Sequence, residues 1–180
     1  MTATTVQNTR VSNLVAMPQG VIGRGMHASP VLAITVSQLV ATTSIDESAD
    51  IVLFTEVPWN AYIKSIKVFN DDLDAHATPA LAVDIGLYKM TKDGTVTVLD
   101  ADAYASAITT LQAANLTGVE VAFESTVKDI DPTDTAKRVF EDAGLTAEPG
   151  DGFCLLGMAV TTAAATAAAG DVKFVIEYTI

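Results

Sequence analysis

The chain has 180 residues, 49% of them hydrophobic and 18% charged, which describes one folded domain and argues against intrinsic disorder. With 10 basic against 22 acidic side chains, a net charge of −12 leaves too few cations to displace counterions along a phosphate backbone, so nucleic acid is not an expected partner. One cysteine excludes an internal disulfide framework, and two histidines leave little for a His-rich metal site.

Charge is unevenly placed. Residues 1–45 hold no Asp or Glu, only Arg10 and Arg24; the other basic groups share residues 46–180 with every acid. The first thirty residues also carry Pro18, Gly20, Gly23, Gly25 and Pro30 and little periodicity, which predicts an extended N-terminal arm over 1–30 and a packed body over 31–180. Val11, Leu14, Val15, Met17, Val21, Ile22 and Met26 are apolar enough to be the arm's expected contacts with a partner. The N-terminus lacks the basic cap and apolar stretch of a secretory signal, and no apolar run is long enough for a membrane span.

From residue 31 the signal is period two. Leu32, Ile34 and Val36 alternate with Ala33, Thr35 and Ser37, whereas 51–57 is apolar at almost every position and reads as a strand covered on both faces. Residues 61–69 follow a short Pro58–Asn60 connection. In 81–88, Leu81, Val83, Ile85 and Leu87 share the core face, and Asp84 points outward. Asp93-Gly94 then predicts a hairpin into 95–99. Further strands are expected at 118–124, 151–162 and 171–180. Two short helices are expected: the alanine-rich 100–108, capped by Asp100 or Asp102, and 135–144, stopped by Gly144. The Ala/Thr segment 161–171 reads as a loop of small side chains. The fold class is all-β: an antiparallel β-sandwich with a jelly roll as the expected topology, two short helices and the arm. An immunoglobulin-like sandwich remains open at this stage.

Catalytic residues are not found. His27 lies in the arm and His76 in the polar loop 70–79, neither beside a Ser and an acid that compose a nucleophilic triad. Asp71, Asp72 and Asp74 lack the spacing of a calcium loop and read as a solvated acidic loop. Asp129, Asp131 and Asp134 read as turn and cap chemistry. Cys154 sits in an apolar strand as a buried, inert thiol. VIGRGMH (21–27) lacks the Lys-Ser/Thr ending of a phosphate loop. No cofactor, no metal and no enzymatic activity are expected.

Two blocks carry a resemblance. In 83–108, Asp84, Gly86, Leu87, Tyr88, Asp100, Asp102, Tyr104, Ala105 and Ser106 form a "D-x-G-L-Y" strand, a hairpin and a "D-A-D-x-Y-A-S-A" element. In 138–180, an "E-x-A-G-L-x-x-x-P-G" element precedes a strand, an Ala/Thr/Gly loop and a terminal strand. Both resemble segments of small virion structural proteins of tailed bacteriophages. The resemblance implies a capsid-associated β-sandwich, such as a decoration (cement) protein on the head surface, assembled in the host cytoplasm. Its implied partners are the major capsid protein and further copies of itself, with a trimer favoured. A head–tail or tail-fibre component is an alternative. So is a carbohydrate-binding sandwich, for which Trp59, Tyr62, Tyr88 and Tyr104 are the aromatic candidates.

Overall fold

A computed structural model describes residues 5–7, 31–123, 136–150 and 152–180. The described strands are β1 (Thr5–Gln7), β2 (Leu32–Val40), β3 (Ile51–Pro58), β4 (Tyr62–Asn70), β5 (Ala82–Met90), β6 (Val96–Ile108), β7 (Asn115–Glu120), β8 (Phe153–Thr162) and β9 (Gly170–Thr179). One α-helical turn, α1 (Val139–Asp142), precedes β8.

The strands form two sheets, ordered β1-β3-β8-β5-β6 and β2-β9-β4-β7. Every pairing is antiparallel except β1 on β3, where Thr5–Gln7 lies parallel to Ile51–Leu53 at the sheet edge. The pairs β2·β9, β3·β8, β4·β7 and β5·β6 are nested, as in one long antiparallel hairpin wound over two layers. That nesting is the strand scheme of a double-sheet jelly roll.

Alternation builds the layers as the sequence predicts. In β2, Leu32, Ile34, Val36 and Val40 are buried between exposed neighbours, and β9 repeats the pattern with Val172, Phe174, Ile176 and Tyr178. Phe54 of β3 meets Phe174 of β9 across the sandwich with ring centroids 4.3 Å apart. β3 is buried on both faces: Val52 and Phe54 belong to the central core, and Leu53 joins Tyr88 and Leu155 in a second apolar cluster. Val83, Ile85 and Leu87 are fully buried in the central core, and Asp84 is half-buried on the opposite side of β5. That opposite side is itself covered over Gly86 and Tyr88, so β5 is a two-faced interior strand.

Three local expectations need correction. Residues 100–108 are not a helix but the second half of β6, a 13-residue strand. Pairing with β5 overrides alanine's helix propensity, and the surplus residues of β6 are taken up in bulges: Ile85 faces Ala105 while Leu87 faces Asp100. Ala107 accommodates this with a positive φ of 50°. The other helix is real but shorter, Val139–Asp142, opened by Arg138 N–H donating to Glu141 Oε2 at 2.8 Å and followed by Gly144 at φ 72°. β7 also runs earlier than 118–124. It ends at Glu120, whose carboxylate accepts the Ile66 and Ala122 N–H groups and the Ser65 hydroxyl at the β4 bulge.

Of the arm, only Thr5–Gln7 falls among the described residues. Val11, Leu14, Val15, Met17, Val21, Ile22, Met26 and His27 lie outside them, as do Asp129, Asp131 and Asp134.

Candidate functional site

The residues with chemistry are placed by three features of the sandwich: the joined loops at one end, the α1 corner, and the outer side of the β5–β6 hairpin. At the first, the acidic loop is not the solvated segment its composition suggests. Asp71, Asp72 and His76 are exposed, but Asp74 is 1% exposed. Its Oδ2 accepts N–H groups from Ala80 (2.7 Å), Leu81 (3.0 Å) and Ala165 (3.0 Å), and its Oδ1 accepts Thr166 N–H (2.9 Å). Burial pushes the Asp74 carboxyl up, but four backbone donors outweigh it and hold it well below the usual range. Asp74 therefore ties the loop before β5 to the Ala/Thr loop before β9. Ala75 N–H to Thr166 O and Ala168 N–H to Leu73 O, both 3.0 Å, complete that seam. A carboxylate saturated by four N–H groups is a structural tie and has little capacity left for a cation. Among the described residues no group of three or more acidic, His or Cys side chains converges as a metal centre.

At the second feature, α1 packs over the turn between β3 and β4. Val139 N–H donates to Ala61 O and Phe140 N–H to Trp59 O, and Trp59 is fully buried beneath them. Tyr104 is also fully buried; its hydroxyl donates to Asp142 Oδ2 at 3.1 Å. Burial, and then the Asp142 charge, push the Tyr104 phenol well above its ordinary range, so it stays a donor at physiological pH. Tyr104→Phe should destabilise the fold by about 2 kcal/mol, the usual value of a hydrogen bond to a charged acceptor. Chemical denaturation measures it, and an unchanged midpoint would refute the contribution.

The four aromatics considered for sugar stacking do not form a platform. Trp59, Tyr88 and Tyr104 are fully buried. Tyr62 is partly exposed, but Arg138 lies 5.5 Å over its ring and donates Nε–H to its hydroxyl at 2.9 Å. Cys154 is buried, with its thiol directed at Val57 O, 3.6 Å away, as expected of an inert thiol. His76 is exposed and receives the N–H of Thr78, two residues along its own loop. No described nucleophile, base and acid come together.

At the third feature, Asp84, Asp100 and Asp102 gather on the outer side of β5 and β6, each half-buried. Asp84 Oδ1 accepts Ala107 N–H at 2.7 Å, and Asp100 Oδ1 accepts Asp102 N–H at 3.3 Å. Burial raises the Asp84 carboxyl, against the Ala107 bond and with the help of Asp102; burial and Asp102 likewise raise Asp100. The helix reading of 100–108 hid this cluster. Gly86 was the available signal, because a glycine inside a strand marks close approach by another backbone. A carbon at its Cβ position would lie 2.2 Å from both Asp100 O and Ala101 O.

The fold thus defines a two-sheet antiparallel sandwich with polar ties at its loops and no assembled catalytic group among the described residues. No family model matches the chain, and no curated protein matches it. Two solved structures do. A chain of the capsid of Ralstonia phage GP4 superposes with a TM-score of 0.62 at 16% identity, over 97% of this chain and 97% of that one. A chain of the cyanophage Pam1 capsid asymmetric unit superposes with a TM-score of 0.54 at 22% identity, over 92% and 96%. At these identities the likeness is one of fold.

Proposed function

We propose that this chain is a non-enzymatic structural protein of a tailed-phage virion, which decorates or stabilises the capsid through protein–protein contacts. The observation that carries this reading is the end-to-end match: the sandwich corresponds to nearly the whole of two chains from phage capsid structures, not to a domain within a larger enzyme. The composition fits a multi-copy surface component, with few charges and many small side chains. Four of the six large exposed apolar residues among the described residues sit on edge strands: Leu39 on β2, Val98 on β6, and Leu116, 79% exposed, with Val119 on β7. Edge strands carrying apolar side chains are natural places for pairing with another chain.

In this reading the partners are the major capsid protein and further copies of the chain, on the capsid surface, with assembly in the host cytoplasm. A trimer is the favoured homo-oligomer. The test is a cryo-electron map of the particle, with the copies counted by quantitative mass spectrometry. Hundreds of copies on the head surface are expected; a few or a dozen at the portal or tail would replace this reading with a head–tail or tail-fibre role.

The arm supplies a second test. Removing residues 1–30 takes away the three-residue β1 edge pairing but none of the nested pairs. The truncated chain should melt within a few degrees of the full chain yet bind particles at least tenfold more weakly, because many arms acting together add avidity. Failure of the truncated chain to fold would make the arm part of the body.

A further inference from the structure

The outer face of the five-stranded sheet holds a polar arrangement that the fold alone does not require. Gly86 of β5 and Gly157 of β8 face each other in register, so neither strand puts a side chain of its own over that pair and neighbouring groups, Leu53 among them, close on it. The Tyr88 ring leans into it: its Cδ2 lies 3.1 Å from where a Gly157 Cβ would be. The ring therefore leans from its own pair, Tyr88–Leu155, over the next pair on that face, Gly86–Gly157, beyond which lies Asp84–Ala159. From the other side, the Asp100 and Ala101 carbonyls close over Gly86, and Asp100 Oδ1 accepts the Asp102 N–H on the same bulge. Tyr88 is fully buried, and its hydroxyl has no hydrogen-bond partner among the described residues. The charges acting on that phenol are Asp84, Asp100 and Asp102, and with burial, the largest influence, they push it far above its ordinary range. Among the described residues, no cation is one of the groups acting on Asp84 or Asp100.

Three half-buried carboxylates and an unpartnered phenol form an incomplete polar site. Carboxylates brought together without a cation repel one another, which disfavours the free fold. They do not converge as a metal centre does. A guanidinium or ammonium group on a long side chain suits such a spread of acceptors better, because its several donors reach acceptors in different directions. The chain's own charge of −12 argues against supply by a second copy. We propose that the Asp84–Asp100–Asp102 patch, with Tyr88 beneath it, receives an Arg or Lys side chain from a different, basic-faced polypeptide of the assembled particle. This rests on the capsid reading above and names the chemistry of one of its contacts.

The test uses the full-length chain and particles stripped of it. Mass spectrometry of purified particles comes first: if the chain is absent from them, the capsid reading falls on that measurement alone, and this contact with it. With the chain present, Asp102→Asn should rebind at least tenfold more weakly, as truncation of one partner in a desolvated charge pair does. Tyr88→Phe should weaken binding less, and Asp46→Asn, at an exposed acid elsewhere, should leave it unchanged. The isolated Asp102→Asn chain should melt at the same temperature as the parent or higher, since a repulsion has been removed. Unchanged rebinding would overturn the proposal. So would weakened rebinding together with a lower melting temperature, which marks a structural role. A large thermal shift with millimolar calcium, lost in Asp102→Asn, would make the site a metal site instead. Self-association of the isolated chain, lost in the same variant, would make the occupant a second copy.

Discussion

Replacing Asp74 by alanine should destabilise the domain by about 4 kcal/mol, which for a chain of this size lowers the melting temperature by roughly 10 °C. Four N–H groups from two separate loops lose their shared acceptor at a site that is 1% exposed. Asp74→Asn should cost about half as much. Its amide oxygen can keep the three donors that meet Oδ2, but its NH2 must then face the Thr166 N–H. Acid should act in the same direction. The folded pKa of Asp74 is depressed below the unfolded value of about 3.9, so its stabilisation is complete above that value. It is withdrawn as pH falls below about 4 towards the lower folded value.

Asp84 and Asp100 have the opposite sign, because their folded carboxyls are raised. Acidification protonates them in the folded state first, which relieves their repulsion before the Asp74 tie is lost. Stability should therefore pass through a maximum in mild acid and then fall. Denaturation midpoints across pH measure this profile. Asp74→Asn should flatten the acid limb and leave the upper limb in place, whereas an unchanged acid limb would remove Asp74 from the account.

How far the sequence carried the structure follows from the range of each interaction. Strands β2, β3, β5 and β9 were legible because burial of one or both faces imposes a period that needs no knowledge of the partner. The hairpin at Asp93–Gly94 was legible for a local reason also: Gly94 takes φ 86°, and its N–H donates to Thr91 O. β6 was not, because alanine favours helix locally and only the tertiary demand of pairing with β5 reverses that preference. The bulge opposite Gly86 has the same origin. Asp74 was out of reach for a different reason. Two of its four donors are 91 and 92 residues away in sequence, so nothing near position 74 distinguishes a tie from a solvated acid. The outer acidic patch needed both errors removed, since it exists only where β6 is a strand and its bulge turns Asp100 and Asp102 towards Asp84.

Gly86→Ala should be the most damaging single methyl group in the sheet. The added carbon would meet two backbone carbonyl oxygens at 2.2 Å and a carbonyl carbon at 2.3 Å, all belonging to Asp100 and Ala101. A flexible side chain could swing aside; a paired backbone cannot, so β6 must retreat by roughly 1 Å or its bulge must re-register, at about 3 kcal/mol or more. Gly150→Ala provides the contrast, with nothing within 4 Å of the new carbon and an expected change near zero. Gly94→Ala is also in open space but sits at φ 86°, so it should cost about 1 kcal/mol from backbone strain alone. The order Gly86, Gly94, Gly150 in loss of stability separates close approach, strain and neither. Movement of β6 would also shift Asp100 and Asp102 relative to Asp84, so Gly86→Ala should weaken particle binding beyond what its lower stability explains. Binding measured well below its melting temperature separates the two effects. A Gly86→Ala chain as stable as the parent would show that the β6 backbone does not press on β5 there, and the polar patch built on that contact would lose its geometry with it.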